Sequence, residues 1–409
     1  NKGGIIEELE LKKYKTYQQE PLKLISPTSS EFNLRTNYQG KEIDLYTLFY
    51  QASQRNVGDT TEVIYKIILQ SGASITQTYK IPAKGYEIGY KLSSSGFNQL
   101  LTGDNLTFNW LNILRPIEKD LTLTREESTI AYYSDADGFD ELDQRSKEQE
   151  TEVFSTPLKW VTIKEKFFLS PIIAKNNFTG VVVQTSLNDS ASSIVMRASV
   201  KLFFPRSSLA DGKAEFKYYV GPNDYKQIGK VTKDFAKNVY LGWPPVYWIN
   251  KFVIFPVFHF LTQHITNFGL IIIILVVLLK LVLFPLSYKS YLSMAKMKVL
   301  KPELDEIKER VGEDMTKVQQ EQMKLYSQVG VNPISGCIPV LLQMPILFAM
   351  FYLFPASIEL RQQPFLWAED LSTYDSIVNL PFVVPFLGSH ISLFTLLMTI
   401  STLIYTWQN

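Results

Sequence analysis

The sequence predicts a membrane α-helical core joined to a large, exported all-β sandwich domain and a charged helical hairpin. Three observations lead to this fold class. The run Phe268–Leu286 has nineteen residues and one charge, which is long enough to cross a bilayer core. Short segments of alternating polar and apolar residues fill the first 240 positions. A basic stretch, residues 287–332, follows the first apolar run.

Residues 1–238 are predicted to form the β-sandwich. Alternating side chains such as Tyr86, Ile88 and Tyr90 indicate strands with one wet face, and clusters of Gly, Asn, Asp and Ser separate these strands. The first 240 residues contain no histidine, which is the commonest base and metal ligand. We therefore expect no catalytic residue, no metal and no cofactor. A sandwich groove that binds a sugar or a peptide stays an open alternative.

The charges and the single cysteine narrow the class of protein further. The chain has 41 basic and 40 acidic residues, so it has no bulk attraction to nucleic acid and we expect no nucleic-acid site. One cysteine excludes an internal disulfide. We also expect the sequence to be part of a longer chain, because an exported domain needs a signal or anchor helix before it.

Residues 240–266 are predicted to form an amphipathic helix that lies in the membrane interface. Trp243, Tyr247 and Trp248 have the composition of an interfacial aromatic belt. His259 and His264 are five residues apart, which does not place them on one helical face for a metal. We interpret both histidines as interfacial polar residues.

Residues 267–409 are predicted to hold the membrane core, with apolar runs at Phe268–Leu286, Cys337–Phe354 and His390–Trp407. The stretch 287–332 carries eight Lys or Arg residues, whereas Ala356–Ser389 carries one. The positive-inside rule therefore places 287–332 in the cytoplasm. The β-domain then lies on the other side of the membrane.

The stretch 287–332 is predicted to fold as a hairpin of two helices. Its first arm is expected over Tyr288–Arg310 and ends near Gly312, and Thr316 with Gln319 fits a capping box at the start of the second. Two roles of the hairpin stay open. It can pack on itself alone, or it can also contact varied partners. The side chains expected on the face of the hairpin are Met294, Met297, Lys298, Met315 and Met323.

Lys280 lies deep inside the first apolar run. It is nine residues from Lys289, or roughly 13 Å along a helix, which is close to half of a ~30 Å bilayer core. The three runs contain no Asp or Glu, so we predict that Lys280 faces a water-filled hollow. Gln343 adds an amide in the second run. Hydroxyl side chains recur on one face of the third run, where helix packing is the alternative explanation, at Ser392, Thr395, Thr399, Thr402 and Thr406.

The chain resembles the YidC/Oxa/Alb family of bacterial membrane protein insertases over most of its length. The resemblance rests on Phe268-Gly269, Lys280, Phe284-Pro285-Leu286, Tyr291-Leu-Ser-Met-Ala-Lys-Met-Lys298, Lys324-Leu-Tyr326, Gly330-Val-Asn-Pro333, Gly336-Cys337 and Leu342-Gln-Met-Pro-Ile346. It continues through Lys159-Trp160, Tyr219-Val-Gly-Pro222 and Gly242-Trp243.

The resemblance implies a protein of the inner membrane that is not an enzyme and needs no cofactor. It implies a hydrophilic groove that receives nascent membrane proteins and releases them into the lipid bilayer, alone or with the secretion translocon and the ribosome. The family's groove cation is usually arginine and falls on Lys280, while Gln343 and Leu347 match groove-lining positions. The family core has five helices, of which three are visible in this sequence, and its outer domain is an extended periplasmic β-sandwich.

A transporter or channel with an exported, ligand-binding β-domain is the alternative function. An inverted repeat among the helices would favour it, and the sequence shows none. An intramembrane protease would need paired Asp, or His with Glu, at membrane depth. The three apolar runs lack these pairs.

Overall fold

A computed structural model describes residues 2–146, 148–187, 193–210, 212–312, 314–330, 338–384 and 388–408. The chain divides into two compact units, Asn1–Val239 and Tyr240–Asn409. Each unit has its own hydrophobic core, as separate domains do.

The first unit consists mainly of strands. In chain order its strands are β1 (Leu9–Lys15), β2 (Pro21–Ile25), β3 (Ser30–Tyr38), β4 (Lys41–Asp44), β5 (Gln51–Val57), β6 (Thr60–Ile68), β7 (Ser74–Pro82), β8 (Glu87–Ser95), β9 (Asn105–Leu114), β10 (Thr129–Ser134), β11 (Gly138–Glu141), β12 (Glu150–Phe154), β13 (Leu158–Lys164), β14 (Phe168–Phe178), β15 (Gly180–Ser186), β16 (Met196–Pro205), β17 (Glu215–Tyr219) and β18 (Gly221–Pro222). Its short helices are α1 (Leu121–Glu126), α2 (Ser207–Ala210) and α3 (Tyr225–Ile228).

Two large antiparallel sheets and one small hairpin organise these strands. The larger sheet has ten strands in the order β11-β10-β13-β14-β17-β8-β7-β6-β5, with β18 beside β14. The smaller sheet has six strands in the order β12-β15-β16-β9-β3-β4. In the described part of the chain, β1 and β2 pair only with each other. The ladders between neighbouring strands are antiparallel, which suits a sheet with one wet face.

The core of the first unit lies between the two large sheets. The smaller sheet contributes Leu34 and Leu202, and the larger sheet contributes Tyr90 and Ile172, all of them buried. Along β9 buried and more exposed residues alternate, as the pleat of a strand requires. Side chains that interlock between two facing sheets define a sandwich, so the predicted all-β sandwich is confirmed.

The last segment of the first unit packs onto β13. The ring of Phe235 lies 5.0 Å from that of Trp160, and both side chains are fully buried. The Trp160 indole N–H donates to the backbone oxygen of Lys233 at 3.1 Å. Asn223 donates to the backbone oxygen of Asn238 at 3.2 Å. The segment up to Val239 is therefore part of the sandwich core.

The second unit is mainly helical. Its elements in chain order are α4 (Pro244–Ile249), a π-helical segment (Asn250–Ile254), α5 (Phe255–Thr262), α6 (Phe268–Val299), α7 (Lys301–Val311), α8 (Met315–Val329), α9 (Ile338–Ala356), β19 (Val378–Val384), β20 (Gly388–Ile391) and α10 (Leu393–Gln408). Of the helices in the described residues, α6 alone is long and apolar enough to cross a membrane. The shorter apolar helices are Leu341–Ala356 and Leu393–Gln408.

The helical stretch from α4 to α5 has one buried and one exposed face. Phe258 is buried, and Asn250 is buried with its amide donating to the backbone oxygen of Leu241 at 2.8 Å. On the other face Trp248 and Phe252 are exposed. An exposed apolar aromatic face suits a membrane interface, and the placement of residues 240–266 there stays a prediction.

The first arm of the predicted hairpin is corrected by the structure. Helix α6 continues through Pro285 as far as Val299, so the expected arm Tyr288–Arg310 is divided at Leu300. Pro302, which has no N–H to continue the helix ladder, stands in the first turn of α7 and explains the break. The two arms that pack together are α7 and α8.

The start of α8 and the start of the third apolar helix also differ from expectation. The Asp314 carboxylate, rather than Thr316, caps α8 by accepting from the Lys317 N–H at 3.1 Å. His390 belongs to β20, so α10 begins three residues later, at Leu393. Residues 331–337, which include Cys337, lie outside the described residues.

Candidate functional site

A pocket of about 320 Å³ lies between α6 and α9. Two polar side chains, Lys280 and Gln343, are among its lining residues, and the remaining lining side chains are aliphatic or thioether groups. The nine lining residues are Val276, Leu279, Lys280, Leu283, Gln343, Met344, Ile346, Leu347 and Met350. Lys280, Gln343 and Leu347, which the family resemblance implies as groove residues, therefore lie at one pocket.

Helical periodicity explains why these residues share the pocket. On α6 the lining positions follow the spacing i, i+3, i+4, i+7 from Val276 to Leu283. On α9 the same spacing holds from Gln343 to Met350, with Met344 added beside it. Residues at this spacing lie on one face of a helix. Each helix thus presents one stripe to the pocket, and each stripe carries one polar group.

Lys280 is exposed on the surface of α6, while Gln343 is partly buried. In the described part of the chain Lys280 has neither an ion pair nor a hydrogen bond. The protein therefore presents an ammonium group that is free to meet a ligand. A charge on an apolar helix is costly in lipid unless water or a partner reaches it.

The helices α6 and α9 are held together beside this pocket. Ile271 and Leu275 of α6, and Ala349 and Leu353 of α9, are almost completely buried. The residues of the pocket stand next to these positions along both helices. Buried positions on both helices thus adjoin the open pocket, and the two helices contact each other.

The hydroxyl stripe of α10 is separate from the lining of this pocket, and the expected place of Ser392, Thr395, Thr399 and Thr402 in the substrate groove stays a prediction. None of the nine residues lining the pocket comes from α10. The threonine hydroxyls bond to carbonyls one turn earlier on their own helix, as Thr399 does to Thr395 at 2.9 Å and Thr402 to Met398 at 2.8 Å. Helical spacing shows that these side chains share one face of α10, but it does not show what that face contacts.

Ser392 lies outside α10 and has a different role. Its hydroxyl accepts from the Thr395 N–H at 3.1 Å and donates to the Asp375 carboxylate. This is the position and bonding of an N-cap residue. Ser392 therefore helps to start α10, and its expected place in the groove stays a prediction.

Asp375, which is not among the site residues expected from the sequence, anchors the start of α10 to the preceding loop. Its carboxylate accepts from the N–H groups of Leu393 at 2.8 Å and Phe394 at 3.0 Å, and from the Trp367 indole at 3.0 Å. Burial raises the pKa of the Asp375 carboxyl, but the hydrogen bonds from Ser392, Phe394, Trp367 and Leu393 together hold that pKa below its usual value. No local motif connects Asp375 with a helix start 18 residues away.

The same loop also packs on α6. The Phe365 ring lies against Gly269, where a Cβ atom would overlap it. The Trp367 ring lies 4.6 Å from Phe394 of α10. The loop after α9 thus contacts the first turns of both α6 and α10.

The methionines expected on one hairpin face lie on different helices. Met294, Met297 and Lys298 belong to α6, and the side chain of Met294 lies outside the described residues. Met315 and Met323 belong to α8 and are exposed. The arms α7 and α8 pack through Ile307 and Val318, which are buried. Packing of the hairpin on itself is thus observed, and exposed methionines remain on its outside.

Comparison with known families covers nearly the whole chain. The family model described as the YidC periplasmic domain matches residues 1–256, and the model described as the 60Kd inner membrane protein matches residues 260–409. The chain belongs to the YidC family of membrane protein insertases. The family resemblance inferred from the sequence is thereby confirmed, and members of this family are inner membrane proteins.

Curated relatives give the same family. A membrane protein insertase YidC of Amoebophilus asiaticus is 41% identical over 415 residues, which cover 100% of this chain and 69% of that protein. The one from Cytophaga hutchinsonii is 45% identical over 421 residues, covering 100% of this chain and 67% of that protein. The one from Bacteroides fragilis is 35% identical over 416 residues, covering 99% and 66%. The chain thus spans about two thirds of the length of these relatives.

Proposed function

We propose that this chain inserts nascent membrane proteins into the inner membrane and that the pocket between α6 and α9 is where it receives them. Insertase activity follows from family membership. The observation that supports the role of the pocket is the meeting of Lys280 and Gln343 on facing stripes of two apolar helices.

The composition of the pocket suits a substrate that is partly polar and partly apolar. The aliphatic and thioether walls, such as Leu283 and Leu347, can contact the apolar part of an entering segment. The Lys280 ammonium and the Gln343 amide can bond the polar part, which lowers the cost of bringing it to membrane depth. Hydrophobic partition of the substrate's own helix then drives its release into lipid without a chemical fuel. The protein acts as an insertase and chaperone rather than as an enzyme.

The topology that suits this activity places residues 287–332 in the cytoplasm and residues 1–238 in the periplasm. The charge difference between the loops supports this orientation, with eight Lys or Arg residues in 287–332 and one in Ala356–Ser389. Helices α6, α9 and α10 would then cross the membrane as part of a five-helix core. The cytoplasmic side, with the hairpin of α7 and α8, would meet the ribosome, and the secretion translocon would be a second partner.

Exchange of Lys280 tests the role of the pocket. In proteoliposomes that contain the whole protein, Lys280→Ala should lower insertion of single-span test proteins with a polar translocated tail by about tenfold or more, a factor that corresponds to about 1.4 kcal/mol. Lys280→Arg should retain most of the activity because it keeps the charge. Protease protection of the translocated tail measures insertion.

The matched control is Lys289→Ala, which removes an exposed lysine from the same helix outside the pocket. It should insert the test proteins normally. Flux of small solutes through the same vesicles should not respond to any of these exchanges. Normal insertion by Lys280→Ala would refute the role of the pocket, and a solute flux that depends on Lys280 would favour the transporter.

A further inference from the structure

Apart from the pocket between α6 and α9, a groove lies in the first unit beside β1. It has a volume of about 510 Å³. One side consists of the five consecutive residues Leu9–Lys13 of β1. The other consists of Ile81–Ile88, which are the end of β7, the turn after it and the start of β8. The groove is therefore bordered by a strand on one side and a hairpin tip on the other.

The edge of β1 that borders this groove is open. In the described part of the chain β1 pairs with β2 alone. Successive side chains of a regular strand point to opposite faces, so the lining of one groove by five consecutive residues indicates that the backbone edge faces it. The pairing of β1 with β2 is irregular here, with register shifts between Leu9 and Glu10 and between Glu10 and Lys15. Such an edge carries N–H and C=O groups that can pair with a further strand. At about 3.3 Å per residue, Leu9–Lys13 offer roughly 13 Å of edge.

The side chains in the groove are partly apolar. Leu11 and Val220 are buried at its base, and Ile81 is 39% exposed. A strand that adds to the edge of β1 would find these apolar groups with every second side chain. Backbone pairing at an edge combined with pockets for alternate side chains is the mode of recognition called β-augmentation.

The charges around the groove are mainly positive. Lys12, Lys13 and Lys84 line it, are exposed, and have no ion pair within the described residues. Of the two acidic residues that line it, Glu87 is paired with Lys217 at 2.6 Å, which leaves Glu10. Three free lysines against one free carboxylate favour an acidic ligand.

We propose that this groove binds an extended, acidic stretch of polypeptide as a third strand beside β1. The added strand pairs its backbone with Leu9–Lys13 and places apolar side chains against Leu11 and Ile81. Its carboxylates meet Lys12, Lys13 and Lys84. The site is separate from the pocket on α6 and α9 and gives the first unit a binding activity of its own.

A pair of designed peptides tests this assignment on the whole protein in detergent micelles. A fluorescent nine-residue peptide of alternating glutamate and valine should bind in anisotropy titrations, and its affinity should fall as salt is added. The same peptide with lysine in place of glutamate should bind at least about tenfold more weakly. A glutamate peptide with N-methyl groups on alternate amides should also bind at least about tenfold more weakly, because those amides cannot pair with β1.

Charge-reversal variants locate the site. Lys12→Glu and Lys84→Glu should each weaken binding about fivefold, the size expected when an exposed charge pair is reversed. Lys41→Glu and Lys201→Glu reverse exposed lysines of the smaller sheet, away from the groove, and should bind as the unchanged protein does. Circular dichroism checks that all four variants are folded.

Several results would overturn the proposal. These are absence of binding by the glutamate peptide, equal binding of the N-methylated peptide, and equal effects of the groove variants and their controls. Sedimentation of the protein without peptide tests whether a second copy of the chain occupies the groove instead. If the protein dimerises and Lys12→Glu changes that dimerisation, β1 pairs with a second copy and the peptide site is refuted.

Discussion

Asp375 shows how a single buried carboxylate can fix the start of a helix. Its two oxygens accept from two backbone N–H groups, one indole and one hydroxyl, so the loop after α9 and the first turn of α10 share one acceptor. The N-terminus of a helix also favours negative charge through its dipole. The ionised form is therefore the one that holds α10, and its depressed pKa reflects this.

Asp375→Asn should loosen the first turn of α10. An asparagine has one acceptor oxygen and an amide group that repels the helix N–H groups, so we expect a local loss of about 1–3 kcal/mol. Hydrogen exchange of the Leu393 and Phe394 amides should be faster by about tenfold or more. Asp370→Asn is the matched control, since that carboxylate bonds Ser372 within the same loop and should leave both amides protected.

The same carboxylate predicts a pH dependence with a definite sign. The folded pKa lies below the value of about 3.9 for an unfolded Asp, so its stabilisation is fully present above that pH. It should be lost as the pH falls through the lower, folded pKa. Protection of the α10 amides, corrected for intrinsic exchange, should decline in that acidic range in the unchanged protein and not in Asp375→Asn. Equal pH profiles would contradict the assignment.

The hairpin of α7 and α8 is stabilised by contacts between its two arms. The arms bury Ile307 and Val318, and Arg310 lies 3.7 Å from Glu321 across them. Exposed ion pairs contribute little, so the apolar contact carries the packing. Gly330 closes α8 in the left-handed conformation, with φ of 68°, which glycine adopts without strain.

Ile307→Ala should therefore open the hairpin. Loss of a buried isoleucine side chain costs about 2–5 kcal/mol in a packed core, and a two-helix contact should lie at the lower end of this range. Hydrogen exchange along α8 should speed up by about tenfold or more. Met315→Ala changes an exposed side chain of the same hairpin and should stay within about 0.5 kcal/mol. Unchanged α8 protection in Ile307→Ala would show that the arms are stabilised from elsewhere.

At the scale of the whole molecule, the chain separates into a β unit and a helical unit with separate cores. The sandwich closes its own core with the segment up to Val239, because Phe235 packs on Trp160 and Asn238 accepts from Asn223. The boundary at Val239 and Tyr240 comes directly after these contacts. A domain with a complete core of this kind can fold by itself.

Truncation tests that independence. A chain that ends at Val239 should unfold cooperatively, with a midpoint within a few degrees of that of the β unit in the whole protein. A chain that ends at Pro222 lacks Phe235 and exposes Trp160, so it should be less stable by about 3–5 kcal/mol, the cost of losing a buried aromatic side chain. Near-ultraviolet circular dichroism during heating distinguishes the two. Equal stability of both chains would contradict the contribution of the final segment.

The sequence by itself determined the β-sandwich and the apolar span with Lys280, whereas Leu347 was implied only by the family resemblance. Alternation, apolar length and helical spacing are properties of one element, so they can be read along the chain. The family resemblance added the insertase function. Only the tertiary structure decided that the stripes of α6 and α9 meet at one pocket, whose lining in the described residues includes none of the threonines of α10. The spacing of residues along a helix shows which side chains share a face, but not which element that face contacts. A contact such as that of Asp375 with the start of α10 joins residues that no local pattern connects.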